Sequence, residues 1–255
     1  MVPRIAYLGD SPLPGAASYL AGIMTHFGLP FLHVPPDAPP PEAAFAESVG
    51  LYVLSDYPSA RIPAAGMKRL CERIRDGAGL LMLGGWESHH GLGGDYDATL
   101  LAELLPVAIS DKDDRCNCSQ LVLIRKRMEH PIVTALPFDR PPGIGGYNEF
   151  KARPSATVIL EGERYRITCG DGKADFAVEG RFPLLVVEEK KRGPRGAGRR
   201  ACLATDVAPH WVGGFVDWGD ERLTVRMGTD FIEVGAWYAA FFRNLLAWSL
   251  GEGEA

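Results

Sequence analysis

The chain has 255 residues, 46% of them hydrophobic, so it is long enough to bury a full hydrophobic core. Its formal charge of −5 gives no basic surface for nucleic acid or for an anionic membrane, which favours a small neutral or cationic molecule as its partner. The N-terminal sequence lacks the pattern of a signal peptide, and no apolar run reaches the roughly 18 residues of a membrane span, so we expect a cytoplasmic protein.

The five cysteines are an odd number without zinc-type spacing, so free thiols are expected rather than disulfides. Cys116 and Cys118 form the only local pair. A single Cys-x-Cys is a weak signal, and plain thiols are favoured over redox or metal chemistry. Histidines near the predicted strand ends also lack metal-type spacing. We therefore expect neither a metal nor a cofactor.

Strand-like and helix-like segments alternate between residues 4 and 83 with short connections. Apolar residues at helical spacing predict helices over 16–27 and over about 67–77. This alternation predicts a doubly wound, mainly parallel sheet with right-handed crossovers. The four predicted strands are Ile5–Leu8, Phe31–Val34, Leu51–Leu54 and Leu80–Leu83.

Polar residues follow three of these strands. Asp10 follows the first strand and Asp56 the third, while the fourth runs into Gly84-Gly85 and then into the segment Trp86–His90. The carboxyl ends of parallel strands share one edge of a sheet, which is where open α/β proteins bind ligands. We therefore expect a crevice formed by these residues. The carboxylates, hydroxyl and imidazoles available there suit general acid–base chemistry.

After a predicted helix over 98–105 the pattern changes. Strand-like runs separated by turn-rich stretches predict antiparallel hairpins, added at about 108–190 to a single domain spanning residues 1–255. The basic segment Lys190–Arg200 could bind phosphate, but a solvated turn is the favoured interpretation in an acidic protein. The strand-like runs are Leu121–Ile124, Thr157–Leu160, Tyr165–Thr168 and Leu184–Val187.

The C-terminal part begins with a buried strand over 201–204, followed by a polar segment that contains His210 and Trp211. Pro209 favours an extended, fixed presentation of His210. A final helix over 231–250 is apolar on nearly all sides, which indicates packing on two faces or a subunit interface. A homo-oligomer is therefore a possible assembly.

These motifs together resemble a known group. The order of the motifs along most of the chain is similar to the putative glutamine amidotransferase family, which belongs to the class I glutamine amidotransferase-like superfamily. The resemblance implies a flavodoxin-like three-layer core. The motifs that carry it are Ser55-Asp56-Tyr57-Pro58, Leu81–Gly91, Tyr96–Thr99, Leu104–Val107, His130–Leu136, Pro183–Val186, Gly198–Arg200 and Thr205–Trp211.

The resemblance also defines a difference. True amidotransferases hold a nucleophilic cysteine in a Gly-x-Cys-x-Gly elbow after the fourth strand, and this position is occupied here by Trp86, with Glu87 and Ser88 next to it. The accompanying His-x-Glu is also absent, because Trp211 and Val212 follow His210. Since a histidine-activated thiolate is the chemical core of glutamine hydrolysis, we expect this activity to be lost.

Three functions remain open at this point. The first is binding of a small metabolite at the carboxyl edge of the sheet without glutaminase activity. The second is a hydrolase of a small amide or ester, in which His210 activates Ser88 or a water and Glu87 or Asp206 orients it. The third is a non-catalytic assembly module. The expected ligand-binding residues are Asp10, Asp56, Trp86, His89, His90 and Trp211; the expected catalytic residues are His210, Glu87 and Ser88.

Overall fold

The computed structural model describes residues 2–189, 198–228 and 230–252. Most of the basic segment 190–200 therefore lies outside the described residues, and its predicted character stays a prediction. The described strands, in chain order, are β1 (Ile5–Gly9), β2 (Phe31–Val34), β3 (Leu51–Ser55), β4 (Gly79–Leu83), β5 (Val107–Ile109), β6 (Arg115–Lys126), β7 (Gly143–Asn148), β8 (Phe150–Ala152), β9 (Thr157–Gly170), β10 (Lys173–Glu189), β11 (Arg199–Leu203), β12 (Arg222–Met227) and β13 (Asp230–Gly235). The described α-helices are α1 (Ser18–His26), α2 (Ala64–Arg75), α3 (Pro209–Val216) and α4 (Ala236–Ser249).

One sheet organises the molecule. Within the described residues it has nine strands in the order β2-β1-β3-β4-β11-β10-β9-β6-β7. The first five strands pair in parallel, as the alternation of strands and helices predicts. Strands β1, β3, β4 and β11 are buried along their whole length, as expected for a parallel sheet covered on both faces. The predicted doubly wound core is therefore confirmed.

The other four strands of the sheet are antiparallel and extend it beyond β11. They confirm the added hairpins, although the two runs predicted over 157–160 and 165–168 belong to one continuous strand, β9. Strands β5 and β8 form a separate two-stranded ladder, as do β12 and β13. No helix in the part of the chain covered by the structure is long and apolar enough to cross a membrane.

Two predicted helices differ from the structure. Residues 98–105 form short 3-10 turns instead, because the Thr99 hydroxyl bonds to the backbone at Tyr96 and Leu101 and competes with helical bonding. The final helix begins at Ala236 rather than at Phe231. Residues before it pair as β13, and a side chain at Gly235 would lie only 2.0 Å from the carbonyl oxygen of Trp218.

Helix α4 is apolar because it is packed inside the molecule. Its aromatic side chains form a cluster with Phe215 of α3, with ring centroids 5.1 Å and 5.2 Å away at Tyr238 and Phe241. Arg140 and Trp218 cover Trp237 on another side. Of the two interpretations of this helix, packing on two faces is the one observed. The homo-oligomer stays a prediction that this helix no longer supports.

Candidate functional site at the carboxyl edge of the sheet

The turn after β4 needs both of its glycines because other chain segments approach the backbone closely. A Cβ atom at Gly84 would lie 2.3 Å from the carbonyl oxygen of Ala204, and one at Gly85 would lie 2.1 Å from Oδ1 of Asp56. Gly85 also has a φ of +154°, which side chains rarely tolerate. The double glycine thus allows the turn to sit against the ends of β3 and β11.

Asp56 fixes the conformation of this turn. Its Oδ1 accepts a hydrogen bond of 2.8 Å from the amide of Glu87, and the amide of Trp86 also donates to its carboxylate. The amide of Asp56 donates in return to Oγ of Ser88 at 2.9 Å. Ser88 is buried, and its hydroxyl supports the backbone of Asp56.

Three aspartates meet at the edge of the sheet. Carboxylate oxygens of Asp10, Asp56 and Asp206, which follow β1, β3 and β11, all lie within 4.8 Å of one another. Asp10 and Asp206 are only 4% and 5% exposed. The prediction that Asp10 and Asp56 lie close together is confirmed. The sequence suggests Asp206 only as an orienting residue, and its membership of this cluster comes from the pairing of β11 beside β4.

Each carboxylate of the cluster is anchored by neighbouring groups. The hydroxyl of Tyr7 donates to Oδ2 of Asp10. Oδ1 of Asp206 accepts hydrogen bonds from the amides of Val207, at 2.5 Å, and Ala208, at 3.2 Å. These bonds hold the acids in fixed positions despite their mutual repulsion.

Burial raises the pKa of all three acids, and repulsion from neighbouring acids adds to the effect at Asp10 and Asp56. Burial raises the pKa of Asp56 to about 7 and that of Asp206 to about 6, and the charge of Asp206 adds to the effect on Asp56. Burial, followed by the charges of Asp206 and Asp56, raises the pKa of Asp10 well above its usual range. The cluster therefore holds protons at neutral pH, or is neutralised by a positively charged group.

The adjacent histidines of the turn have different surroundings. The ring of His90 bonds through Nδ1 to Asp97 at 2.7 Å, and this contact raises the pKa of His90. His89 is fully buried against Phe150, and neither of its ring nitrogens has a hydrogen-bond partner within the described residues. Burial lowers the pKa of His89 to about 4, so its imidazole is neutral.

Asp114 and Asn148 support the turn from behind. Asp114 accepts hydrogen bonds from the amides of His90, at 3.1 Å, and Gly91, at 3.0 Å. The side-chain amide of Asn148 donates to Asp114 at 2.8 Å and to the carbonyl of Gly85 at 3.0 Å, while its oxygen accepts from the amide of Gly85. No local sequence pattern indicates either residue, because both reach the turn through the pairing of the added strands.

Trp86 is the exposed residue of the turn, with 40% of its surface accessible. The guanidinium carbon of Arg115 lies 4.4 Å from the centre of its ring, and the ring of His210 lies 5.8 Å away. His210 is exposed in the first turn of α3 and not in the extended segment that Pro209 was expected to produce. Proline occupies the first position of a helix readily, because its missing amide hydrogen has no partner there.

The contacts of Trp211, His210 and Ser88 differ from those expected at the site. The indole of Trp211 is buried and donates a hydrogen bond of 2.9 Å to Asn117. It packs directly on Gly146, where a Cβ atom would lie only 2.3 Å from the indole ring. Its position is thus in the packing between α3 and β7. His210 and Ser88 share no hydrogen bond in the described structure, and the buried Ser88 hydroxyl is held by Asp56, so the contacts do not favour the hydrolase alternative.

The chemistry available at the edge is that of clustered carboxylates. Oxygen ligands of this kind suit a hard cation or an ammonium group. In the described chain the only group of three or more potential metal ligands is Asp10, Asp56 and Asp206. The sequence patterns predict no set of metal ligands. That prediction is based on the spacing of the histidines and does not include Asp206.

Comparison with known proteins agrees with this architecture. The cytoplasmic protein STM3548 of Salmonella typhimurium has a similar structure, with a TM-score of 0.70 and 24% identity over 96% of this chain and 98% of that chain. The cytoplasmic protein STM1381 of Salmonella typhimurium LT2 has a TM-score of 0.70 and 23% identity over the same shares. At this identity the likeness shows the fold. No curated protein matches this chain in sequence.

The family assignment comes from the sequence between β3 and β12. Residues 52–227 match the putative glutamine amidotransferase family, and this region contains the β4 turn, two of the three clustered aspartates and the added strands. The match covers well over half of the chain, as the motifs predicted. The chain belongs to the putative glutamine amidotransferase family.

Proposed function

We propose that this protein binds a small, positively charged ligand at the carboxyl edge of its sheet and does not hydrolyse glutamine. The observation that carries this proposal is the convergence of three carboxylates within 4.8 Å of one another. The ligand would place its cationic group among Asp10, Asp56 and Asp206, with the exposed Trp86 at the entrance. The names of the two Salmonella proteins support a role in the cytoplasm.

The energetics of the cluster support a cationic ligand. Burying like charges near one another is unfavourable unless protons or a cation neutralise them. A bound ammonium group or metal ion would return the acids to their charged forms and replace lost solvation with direct contacts. Ligands of open α/β sheets bind at this same edge, so the position of the cluster agrees with its chemistry.

Three features of the chain after β4 support the loss of glutaminase activity. The segment Gly84–Gly91 contains no cysteine. The amides of Trp86 and Glu87, which would be suitable donors to an oxyanion, already donate to Asp56. In addition, the described chain forms turns and short 3-10 segments between β4 and β5, whereas a nucleophile elbow leads from a strand into a helix.

Isothermal titration tests the proposal. Small primary amines and amino acids form one set of ligands, and MgCl2 and MnCl2 form another. We expect at least one to bind the wild type and to lose most of its affinity in Asp206→Asn and Asp10→Asn. The exposed Asp175 provides a matched control, since Asp175→Asn removes a similar charge on the β9–β10 hairpin. Equal binding by all three variants, or no binding to the wild type, would contradict the proposal.

A further inference from the structure

A second cavity lies where the pairing of β6 with β7 becomes irregular. Cys116 pairs with Tyr147 and Asn117 with Gly146, but pairing resumes only at Val122. Residues 118–121 therefore bulge out of the ladder on that side, a feature that redirects side chains at functional sites. The cavity beside the bulge has a volume of about 410 Å³. Its lining includes Cys116, Cys118, Tyr147, Arg115 and Arg164.

The two thiols of this cavity are available to a ligand. Cys116 and Cys118 are free and half-buried, and their spacing of two residues places both on one face of β6. Each sulfur lies 3.9 Å from a backbone carbonyl oxygen, that of Asp114 and that of Cys116 respectively, and Cys116 also bonds to the hydroxyl of Tyr147. Burial raises the pKa of both thiols, so they are protonated when nothing is bound.

A bridging ion suits this pair better than a disulfide. Two residues of a strand span about 6.6 Å between Cα atoms, which is at the upper end of the range of about 4.4–6.8 Å that disulfides accept. A metal ion between the sulfurs adds the length of two metal–sulfur bonds. It can therefore connect the thiols without drawing the two Cα atoms together, at the point where the strand leaves the ladder.

The ligand set selects the kind of metal. Structural zinc takes four ligands, and no third histidine, cysteine or carboxylate joins the two thiols among the residues that the structure describes. Thiolates favour soft ions such as Cu(I). A Cu(I) ion held by two thiolates carries a net charge of −1, and the positive charge of Arg164 acts on both sulfurs.

We propose that Cys116 and Cys118 form a two-sulfur site for Cu(I), separate from the aspartate cluster. Binding breaks two S–H bonds, forms two Cu–S bonds and releases two protons to solvent. The copper stays in the Cu(I) state and no group is oxidised or reduced. Arg164 stabilises the complex through its charge, and the bulge at residues 118–121 allows the sulfurs to adjust to the ion.

Anaerobic competition with the chromophoric chelator bicinchoninate tests this site. The reduced full-length protein should withdraw one Cu(I) per chain from the chelator, and X-ray absorption at the copper edge should report two sulfur neighbours. Cys116→Ser and Cys118→Ser should each abolish this uptake. Cys169→Ser is the matched control, because Cys169 is an exposed thiol outside the cavity, and it should bind like the wild type.

A second pair of variants tests the site without changing a sulfur. Arg164→Met should weaken Cu(I) binding about tenfold, because it removes the positive charge beside the complex. Arg166→Met, on the same strand but outside the cavity lining, should leave the affinity unchanged. Circular dichroism confirms that each variant is folded. Absence of uptake by the folded wild type, or full uptake by folded Cys116→Ser or Cys118→Ser, would overturn the proposal.

Discussion

The amide nitrogen of Glu87 lies 2.8 Å from Oδ1 of Asp56 and donates a hydrogen bond to it. The turn after β4 therefore directs its backbone donors at a carboxylate from the neighbouring strand β3. A bound substrate would have to displace that carboxylate to use these donors. This contact connects the turn to the aspartate cluster, so a substitution in the turn should change the environment of the cluster, and the reverse.

Restoring a cysteine to the turn should not restore glutamine hydrolysis. We expect Trp86→Cys to release glutamate from glutamine no faster than the wild type, because the amides of Trp86 and Glu87 remain bonded to Asp56. A coupled glutamate assay measures this rate. Alkylation by iodoacetamide serves as the control, since a thiol at this exposed position should be modified. Glutaminase turnover by this single variant would contradict the assignment of Asp56.

A methyl group at Gly85 should disrupt the turn. Its Cβ would lie 2.1 Å from Oδ1 of Asp56, so we expect Gly85→Ala to cost about 3 kcal/mol of stability. Gly93→Ala is the matched control: Gly93 also has a positive φ, of +99°, but a methyl group there would have no atom within 4 Å. Urea denaturation compares the two. An equal loss of stability in both variants would mean that backbone strain, and not the contact with Asp56, is the reason that glycine is required at position 85.

The sequence predicts the parallel half of the fold well because its signals are local. Each strand from β1 to β4 is a short apolar run bounded by turn residues, and the helices between them have clear spacing. The hairpin β12–β13 is not predicted. Residues 231–235 continue directly into the apolar helix α4, and the two are separated by long-range contacts, the pairing with β12 and the close packing of Gly235 against Trp218.

The candidate site was only partly predictable. Asp10 and Asp56 both follow predicted parallel strands, so their place at one edge of the sheet could be inferred, while the direct pairing of β1 with β3 comes from the structure. Asp206 follows β11, which is separated from β4 in sequence by all of the added strands, and its place depends on strand order. Asn148 and Asp114 reach the turn through strands outside the parallel core. Pairing between strands that are distant in the sequence produces no local sequence pattern from which these positions could be predicted.

Asn148 should be important for stability. Its side chain bonds to the amide and the carbonyl of Gly85 and to Asp114, all in a buried position. Asn148→Ala removes all three bonds and leaves the buried amide and carbonyl of Gly85 without this partner, so we expect a loss of about 3 kcal/mol in the free energy of unfolding. Asn244→Ala is the control, since the side chain of Asn244 in helix α4 makes one long bond of 3.4 Å to the carbonyl of Ile132 and otherwise only exposed bonds with Arg243. A similar loss in both variants would argue against the network.

The aspartate cluster should make stability depend on pH. Asp56 and Asp206 have folded pKa values of about 7 and about 6, above the value of about 3.9 for an unfolded aspartate. Between the unfolded and the folded pKa values, the folded state therefore binds more protons than the unfolded state. The free energy of unfolding should fall as pH rises through this range. Below about pH 6.5, the ordinary pKa of histidine, the buried His89, with a pKa of about 4, acts in the opposite direction. The clearest window is therefore about pH 6.5 to 8.

Asp206→Asn tests this dependence directly. The variant keeps an oxygen that can accept the amides of Val207 and Ala208 but removes the charge that raises the pKa of Asp56. We expect it to be more stable than the wild type at about pH 8, by on the order of 1 kcal/mol, and to lose less stability between about pH 6.5 and that value. Asp175→Asn should keep the wild-type slope in urea denaturation. An unchanged slope in Asp206→Asn would mean that the three acids are not electrostatically coupled.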